Sequence, residues 1–488
     1  MPESFQAPGQ AVGGSSDDER LGPLARIAVV FTTWAERWIP DAFVFALAAT
    51  FIILTLAALS AKATPLEVIG IWGDGFWKLL EFTLQMAMVI ITGYVVATTG
   101  PVHRIIVRLA RIPSSPRAAV AFVALFAMAS SWLNWGFSLI FSAMLAKEVA
   151  RRVRGVDYRA VAASAFLGLG SIWAQGLSGS AALQMATPTL MPAEIRAVVA
   201  AGDKIPGGVI PLVHTVFLWQ SLVSVAVEIC VVTALVYLAA PTGSRARSAE
   251  SMGIDLGESP SDRGAPERRG TPGEWLEHSP LLSLLLVLLA GTYLVRYFMT
   301  SHEGALNAVN LGTINLFFLT CGVALHGTPA RLMRSVKEAT PGVWGVLLQF
   351  PFYAGIAAVI TKTHLNEQIA HYFVSISTPR TFPPLVALYS AVLGVFVPSG
   401  GSKWVIEAPY VMKAAHELKV HLGWMVAVYD LGEALANLVQ PFWMLPILGL
   451  FGLRARDVMG HTFLVFVVLV PLVLVMVTIL GATLPYPL

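Results

Sequence analysis

VPSGGSKWVIEAPYVM, residues 397 to 412, sets a flexible break and two charges within strongly apolar sequence. The run before it, Leu385 to Phe396, is almost wholly apolar, while Ser399, Gly400, Gly401 and Ser402 free the backbone for a tight turn. A new helix is expected to open at Lys403. Glu407 follows four residues later, which places both charges on one helical face where they can pair. Pro409 removes a backbone donor from the carbonyl of Val405 and is expected to break the helix early. In a bilayer, irregular backbone survives only where it is buried in protein or lines a watery cavity. Each charge at the membrane centre costs about 2.5 to 3.5 kcal/mol on insertion scales. The stretch therefore reads as a solute or ion site inside a membrane protein.

The composition agrees. The chain has 488 residues, 56% hydrophobic and 12% charged, with a mean hydropathy of +0.70, and its charged fraction is roughly half that of a soluble domain. A net charge of +3 is too slight to argue for a nucleic-acid partner; the basic residues mark membrane topology instead. Cys230 and Cys321 lie in apolar runs without CxxC or Cys/His spacing, so neither a disulfide framework nor a metal site is expected. Residues 1 to 21 are polar and acidic, with no basic region leading into a short apolar core; they read as a disordered tail without a cleavable signal.

Working outward, residues 22 to 39 suit an interfacial helix, and spans of about 20 residues fall at Ala42 to Ala61 and Leu80 to Thr99. Arg104, Arg108, Arg111 and Arg117 make the next loop cytoplasmic, and Lys147, Arg151, Arg152 and Arg154 assign the far end of Ala118 to Leu145 to the same side. Those 28 residues give about 42 Å of helix, too short for two crossings and right for two legs that turn back. A re-entrant hairpin with its tip at Ser131 to Gly136 follows. Ala160 to Thr187 is a span interrupted at Gly176 to Ser180, and Val209 to Leu238 returns to a polar linker, 241 to 279, expected to be cytoplasmic. Further spans fall at Leu281 to Met299, Leu311 to Ala324, Val343 to Ile360 and Leu464 to Ile479. A second hairpin covers Pro384 to Lys413, and a second interrupted span, Trp424 to Phe451, breaks at Asn437 to Pro441.

The fold class expected is therefore an all-α polytopic membrane protein with two inverted-topology repeats, 22–240 and 280–488, each holding a re-entrant hairpin and a discontinuous helix. Such repeats build transporters whose site lies near the midplane between broken helices. Inward-pointing helix starts offer unpaired backbone amides to a carboxylate, and freed carbonyls and hydroxyls suit a small cation. The candidate substrate residues are Asn134, Trp135, Gly136, Ser178, Gly179 and Ser180 on the first side, and Ser399, Gly400, Gly401, Ser402 and Lys403 on the second. Glu407, Asn437 and Gln440 are the candidates for ion coupling. No cofactor is expected beyond a cotransported sodium ion or proton.

Two patterns point toward enzymes. Gly176-Leu177-Ser178-Gly179 fits the short GxSG pattern of rhomboid-type intramembrane serine proteases, with His214 as a conceivable base. The chain is far longer than such a protease needs, and the duplication would go unexplained. His416 and His421 flank Glu417 like a zinc motif, but five residues apart they lie about 140° round a helix and cannot share a metal.

Several blocks together resemble the short-chain fatty acid transporter family, which contains the bacterial carrier of the acetoacetate degradation system. They are LNWGFSLIFSAMLAKEVARRVRGVDYR (133–159), GLSGSAALQMATP (176–188), LLQFPFYAGI (347–356), VPSGG (397–401) and NLVQPFWMLPILGLFGLRARDVMG (437–460). The resemblance implies ion-coupled uptake of small monocarboxylates across the inner membrane, an elevator-type carrier fold and no enzymatic step. A carrier of another small organic anion, such as a dicarboxylate, is the alternative within transport, and a homodimer is a partnership the resemblance allows. One departure stands out. In the family's pattern VPSGG runs on into Gly-Gln-Trp, with a Gln near the position of Glu407, whereas this chain has Ser402, Lys403, Trp404 and Glu407. An ion pair replaces two amides.

Overall fold

A computed structural model describes residues 42–60, 64–243, 246–256, 270–300, 308–396, 399–440 and 442–488. The tail, the interfacial stretch 22–39, and Val397, Pro398 and Pro441 lie outside the described residues. The described residues are helical, and seven of their helices are long and apolar enough to cross a membrane.

Local signals open the helices. Thr64 caps α2 (Pro65–Gly75) in a reciprocal box with Glu67, after α1 (Ala42–Ser60). Then come α3 (Leu80–Ala97) and α4 (Gly100–Leu109). Ser115 caps α5 (Pro116–Leu133), and Asn134 both ends α5 and caps α6 (Trp135–Arg152). Asp157 caps α7 (Tyr158–Leu167), which runs on as a π turn (Gly168–Ile172) and a 3-10 turn (Trp173–Gln175) before α8 (Ser180–Ala186). α9 (Ala193–Val199) and α10 (Trp219–Ala239) follow. After the linker stand α11 (Pro272–His278), α12 (Leu281–Thr300), α13 (Leu311–His326), α14 (Pro329–Ala339), α15 (Trp344–Lys362) and α16 (Leu365–Ile376). The second hairpin is α17 (Phe382–Phe396) with α18 (Gly400–Leu418); α19 (Leu422–Ala436), α20 (Leu445–Phe451) and α21 (Ala455–Gly481) complete the chain.

The order from α1 to α10 returns from α13 to α21. Each series has an apolar helix, an eleven-residue helix opened by Thr-Pro, an apolar helix, a shorter helix, a hairpin, an interrupted helix and a long final helix. By packing, α1 to α3 and α13 to α15 form one group, a frame. The hairpins, interrupted helices, α10 and α21 form another, the core body, in which nearly every residue of 158–186 and 399–440 is buried. α3 lies against α6, and α15 lies against α18, across the boundary between the groups.

The base of the first hairpin meets the end of α20, just before α21. Lys147 Nζ donates to the carbonyl of Leu450 at 3.2 Å, and Tyr158 Oη to that of Phe451 at 3.2 Å. The base of the second meets the segment that follows α21, where His416 bonds Tyr486 Oη at 2.9 Å and Leu422 N donates to Pro487 O at 2.9 Å. α21 has 27 residues, so about 40 Å of helix lies along the chain between those two contacts.

Several expectations are corrected. The legs of the first hairpin have 18 residues each, about 27 Å, because helix continues through Arg151 and Arg152. α18 opens at Gly400, before Lys403, and runs unbroken through Pro409. A single lost backbone bond is tolerated where a membrane helix is packed on all sides. α10 starts at Trp219 instead of Val209, since Pro206, Pro211 and the positive φ of Gly207 and Gly208 hold the chain in short 3-10 turns. The linker is partly packed. Arg247 N donates to Asp157 Oδ2 at 3.1 Å, Tyr158 N to Arg247 O at 2.8 Å, and Arg151 to the carbonyl of Leu256 at 2.5 Å, which straps residues 246–256 across the base of the first hairpin.

Candidate functional site

Asn134 is the one non-helical residue at the first tip, and its Oδ1 accepts from Phe137 N at 2.8 Å. Trp135 N donates to Ser178 Oγ at 2.9 Å, and Leu177 N to Trp132 O at 2.7 Å. The break between the 3-10 turn and α8 is thereby stitched to the tip, and the amides of Trp135 and Phe137, expected to be unpaired, are taken. Gly136 lets α3 approach, since a Cβ there would stand 2.9 Å from Val89 O. Gly179 precedes α8, and Ser180, its first residue, lies 4.0 Å from Met86 Sδ of the frame.

The second tip arrives at the same break. Ser399 stands at the cap position of α18, although its side chain makes no capping bond. A Cβ on Gly401 would stand 2.9 Å from Ser180 Cβ and would also strike the Phe82 ring of α3; one on Gly400 would stand 2.5 Å from Trp173 Cη2. Trp173 in turn meets Trp135 edge-on at 6.3 Å. One indole thus stands between the tips of both hairpins.

Beneath the second tip lies a charged cluster with no solvent exposure to speak of. Lys403 Nζ is 3.1 Å from Glu407 Oε1, 2.7 Å from Glu433 Oε2, and 2.7 Å from Ser390 O, to which it donates. It also sits 4.6 Å over the ring of Tyr429, whose hydroxyl donates to Gly400 O. Ser390 Oγ donates to Glu407 Oε2 at 2.6 Å. Asn437 Nδ2 donates to Leu169 O at 3.0 Å and Gln440 Nε2 to Asn437 Oδ1 at 2.7 Å, tying the second break to the π turn of the first interrupted helix.

A model of the family described as short chain fatty acid transporter matches residues 23–480. The chain belongs to that family. Two relatives are each named "Putative short-chain fatty acid transporter". The one from Escherichia coli (strain K12) is 35% identical over 90% of this chain and 96% of its own length. The one from Haemophilus influenzae is 33% identical over 93% and 99%. Among solved structures, the YdaH transporter of Alcanivorax borkumensis aligns with a TM-score of 0.57 at 14% identity, covering 91% of this chain and 98% of that one. MtrF of Neisseria gonorrhoeae, described as one of a class of antimetabolite efflux pumps, aligns at 0.51 and 14%, covering 95% and 97%. At that identity the two show the fold alone. This short-chain fatty acid transporter family member is a multi-pass protein of the bacterial inner membrane, a transporter and not an enzyme.

Four buried side chains of this transporter escaped the reading of its sequence. Asp430 and Glu433 lie three apart in α19; the Asp430 carboxylate accepts the backbone N–H of Ala182 and so caps α8 from outside its own chain segment. Glu228 of α10 accepts from Gln175 Nε2 at 3.0 Å. Three acids inside apolar spans were the signal for them. Trp173 gave no such signal, because its place depends on where Gly400 arrives.

Several hydrogen-bond donors around the tips are buried and without a partner among the described residues, including Ser131 Oγ, Trp132 Nε1, Asn134 Nδ2, Trp135 Nε1, Trp173 Nε1, Ser402 Oγ and Trp404 Nε1. Leaving such groups unmet in a dry interior costs about 1 to 3 kcal/mol each. N–H and O–H groups of this kind can receive the oxygens of an anion, and the indole faces beside them can take an alkyl chain.

Proposed function

We propose that this protein is a secondary active transporter that takes up short-chain fatty acids or related small monocarboxylates. The observation that carries the reading is the set of unpartnered donors at the meeting of the two tips, which asks for an acceptor from outside the protein. The Lys403 ammonium is already engaged by two carboxylates and a carbonyl; its part is to hold the second tip in place beneath the anion. The relatives' names support the substrate class.

The cluster at Lys403 supports coupling to a cation. With all three groups ionised, Glu407 and Glu433 outnumber Lys403 by one negative charge, and a buried excess charge is stabilised by a sodium ion or a proton. Glu407 and Glu433 are the coupling residues in this reading, with Asn437 and Gln440 fixing the adjacent break. The common element order and the opposed hairpin bases support two inverted repeats, the first opening to the arginine-rich cytoplasmic face. The boundary between frame and core body is where an elevator-type displacement would occur.

Uptake of labelled butyrate into proteoliposomes, with proton and sodium gradients imposed separately, tests the proposal. Accumulation driven by one of the gradients supports it. Absence of uptake, with no monocarboxylate raising the melting temperature of the purified protein, overturns it.

A further inference from the structure

The structure assigns to Trp173 a role that the family's blocks do not include: it limits the length of the alkyl chain that the transporter accepts. The inference rests on the monocarboxylate reading above. The indole issues from the 3-10 turn that follows a π turn, and such irregular backbone aims a side chain where an unbroken helix would not. It is 5% exposed. On one side it meets the edge of Trp135 at 6.3 Å; on the other it leaves too little room for a Cβ on Gly400, 2.5 Å from Cη2. Gly400 is therefore the residue that lets the second tip close on the indole.

A carboxylate whose oxygens take the unpartnered N–H and O–H groups of the tips must lay its hydrocarbon tail along the rings beside them. Trp135 is fixed in place: its backbone N–H is bonded to Ser178 and its ring is braced by Trp443 at 5.6 Å. Trp173 is the ring that separates the two tips, so its bulk measures the space left for the tail. A smaller side chain at 173 lengthens that space, and a larger one at 400 shortens it.

The test is competition against labelled butyrate uptake in proteoliposomes by straight-chain carboxylates from acetate to octanoate. One methylene in an apolar pocket is worth about 10-fold or more in discrimination. Trp173→Leu and Trp173→Phe should therefore improve inhibition by hexanoate and octanoate relative to butyrate by about 10-fold. Gly400→Ala should move the profile toward acetate, and Gly400→Ala with Trp173→Leu should return it toward the parent. If Trp173→Leu yields too little folded protein, Trp173→Phe, which keeps an aromatic ring, carries the comparison. A length profile that stays within about threefold of the parent, in variants that still transport butyrate, overturns the inference. A parent protein that recognises no monocarboxylate would instead overturn the functional reading on which it rests.

Discussion

The ammonium of Lys403 lies nearer to Glu433, at 2.7 Å, than to Glu407, its neighbour on the same helix, at 3.1 Å. A pair within α18 is thus a triad across α18 and α19. Removing one member of a buried ion pair costs about 3 to 5 kcal/mol, whereas replacing all members by neutral groups can be nearly neutral. Lys403→Gln with Glu407→Gln, which restores the family's amides, still leaves Glu433 without its cation. We expect that double variant to melt below the parent, and the triple variant with Glu433→Gln to recover. A double variant as stable as the triple would sink the triad.

Asn134 performs two tasks that one substitution separates. Asn134→Ser keeps a side-chain oxygen for Phe137 N and so keeps the cap, but it removes the unpartnered Nδ2 donor without burying a charge. Folded yield should hold while butyrate uptake falls at least about 10-fold, a loss near 1.4 kcal/mol. Equal losses of yield and uptake would leave Asn134 as a cap alone.

Ser178→Ala deprives Trp135 N of its acceptor, with an expected cost of about 1 to 3 kcal/mol. The melting temperature should fall, and Ser178→Thr, which retains a hydroxyl, should recover part of it. An alanine variant that melts with the parent would show that water replaces the hydroxyl at the tip.

Gly401→Ala should be overpacked, since its methyl would meet Phe82 and Ser180, and overpacking costs about 1 to 3 kcal/mol. Phe82→Leu in the same chain should relieve it, because the clash lies with a frame side chain. Failure of Phe82→Leu to improve Gly401→Ala in a melting assay would place the second tip away from α3.

The frame and the core body also touch away from the tips. Lys78 pairs with Glu194, and Thr189 donates to Glu81 at 3.0 Å. Cysteines at 78 and 194, in a chain carrying Cys230→Ser and Cys321→Ser, should react with a bifunctional thiol reagent. The linked protein should lose uptake until a cleavable linker is reduced. Undiminished uptake by the linked protein would exclude displacement of one group past the other.

Much of the architecture was legible because apolar runs, their breaks and the arginines beside them are local signals. The breaks after Gln175 and after Ala436 were both visible as Gly, Ser, Asn and Pro in apolar surroundings. Pro409 misled because a helix buried on all sides tolerates one missing bond that an isolated helix does not. Asp430 and Glu433 were visible as acids in an apolar span, yet their partners, Ala182 and Lys403, lie in distant segments. The place of Trp173 was not legible at all, because it depends on a contact with Gly400, 227 positions downstream.

The long final helix has a mechanical consequence. The chain just before it adjoins the base of one hairpin and the chain just after it reaches the base of the other, and an α-helix resists shortening because its turns, apart from the bond missing at Pro471, are held by backbone bonds. It acts as a strut. Drawing one hairpin toward the other along this axis would break those bonds or bend the helix at Pro471, so the helix favours a constant spacing of the two bases. Opening to either side of the membrane is then a matter of moving the braced unit whole, or of loosening one tip while the strut holds both anchors still.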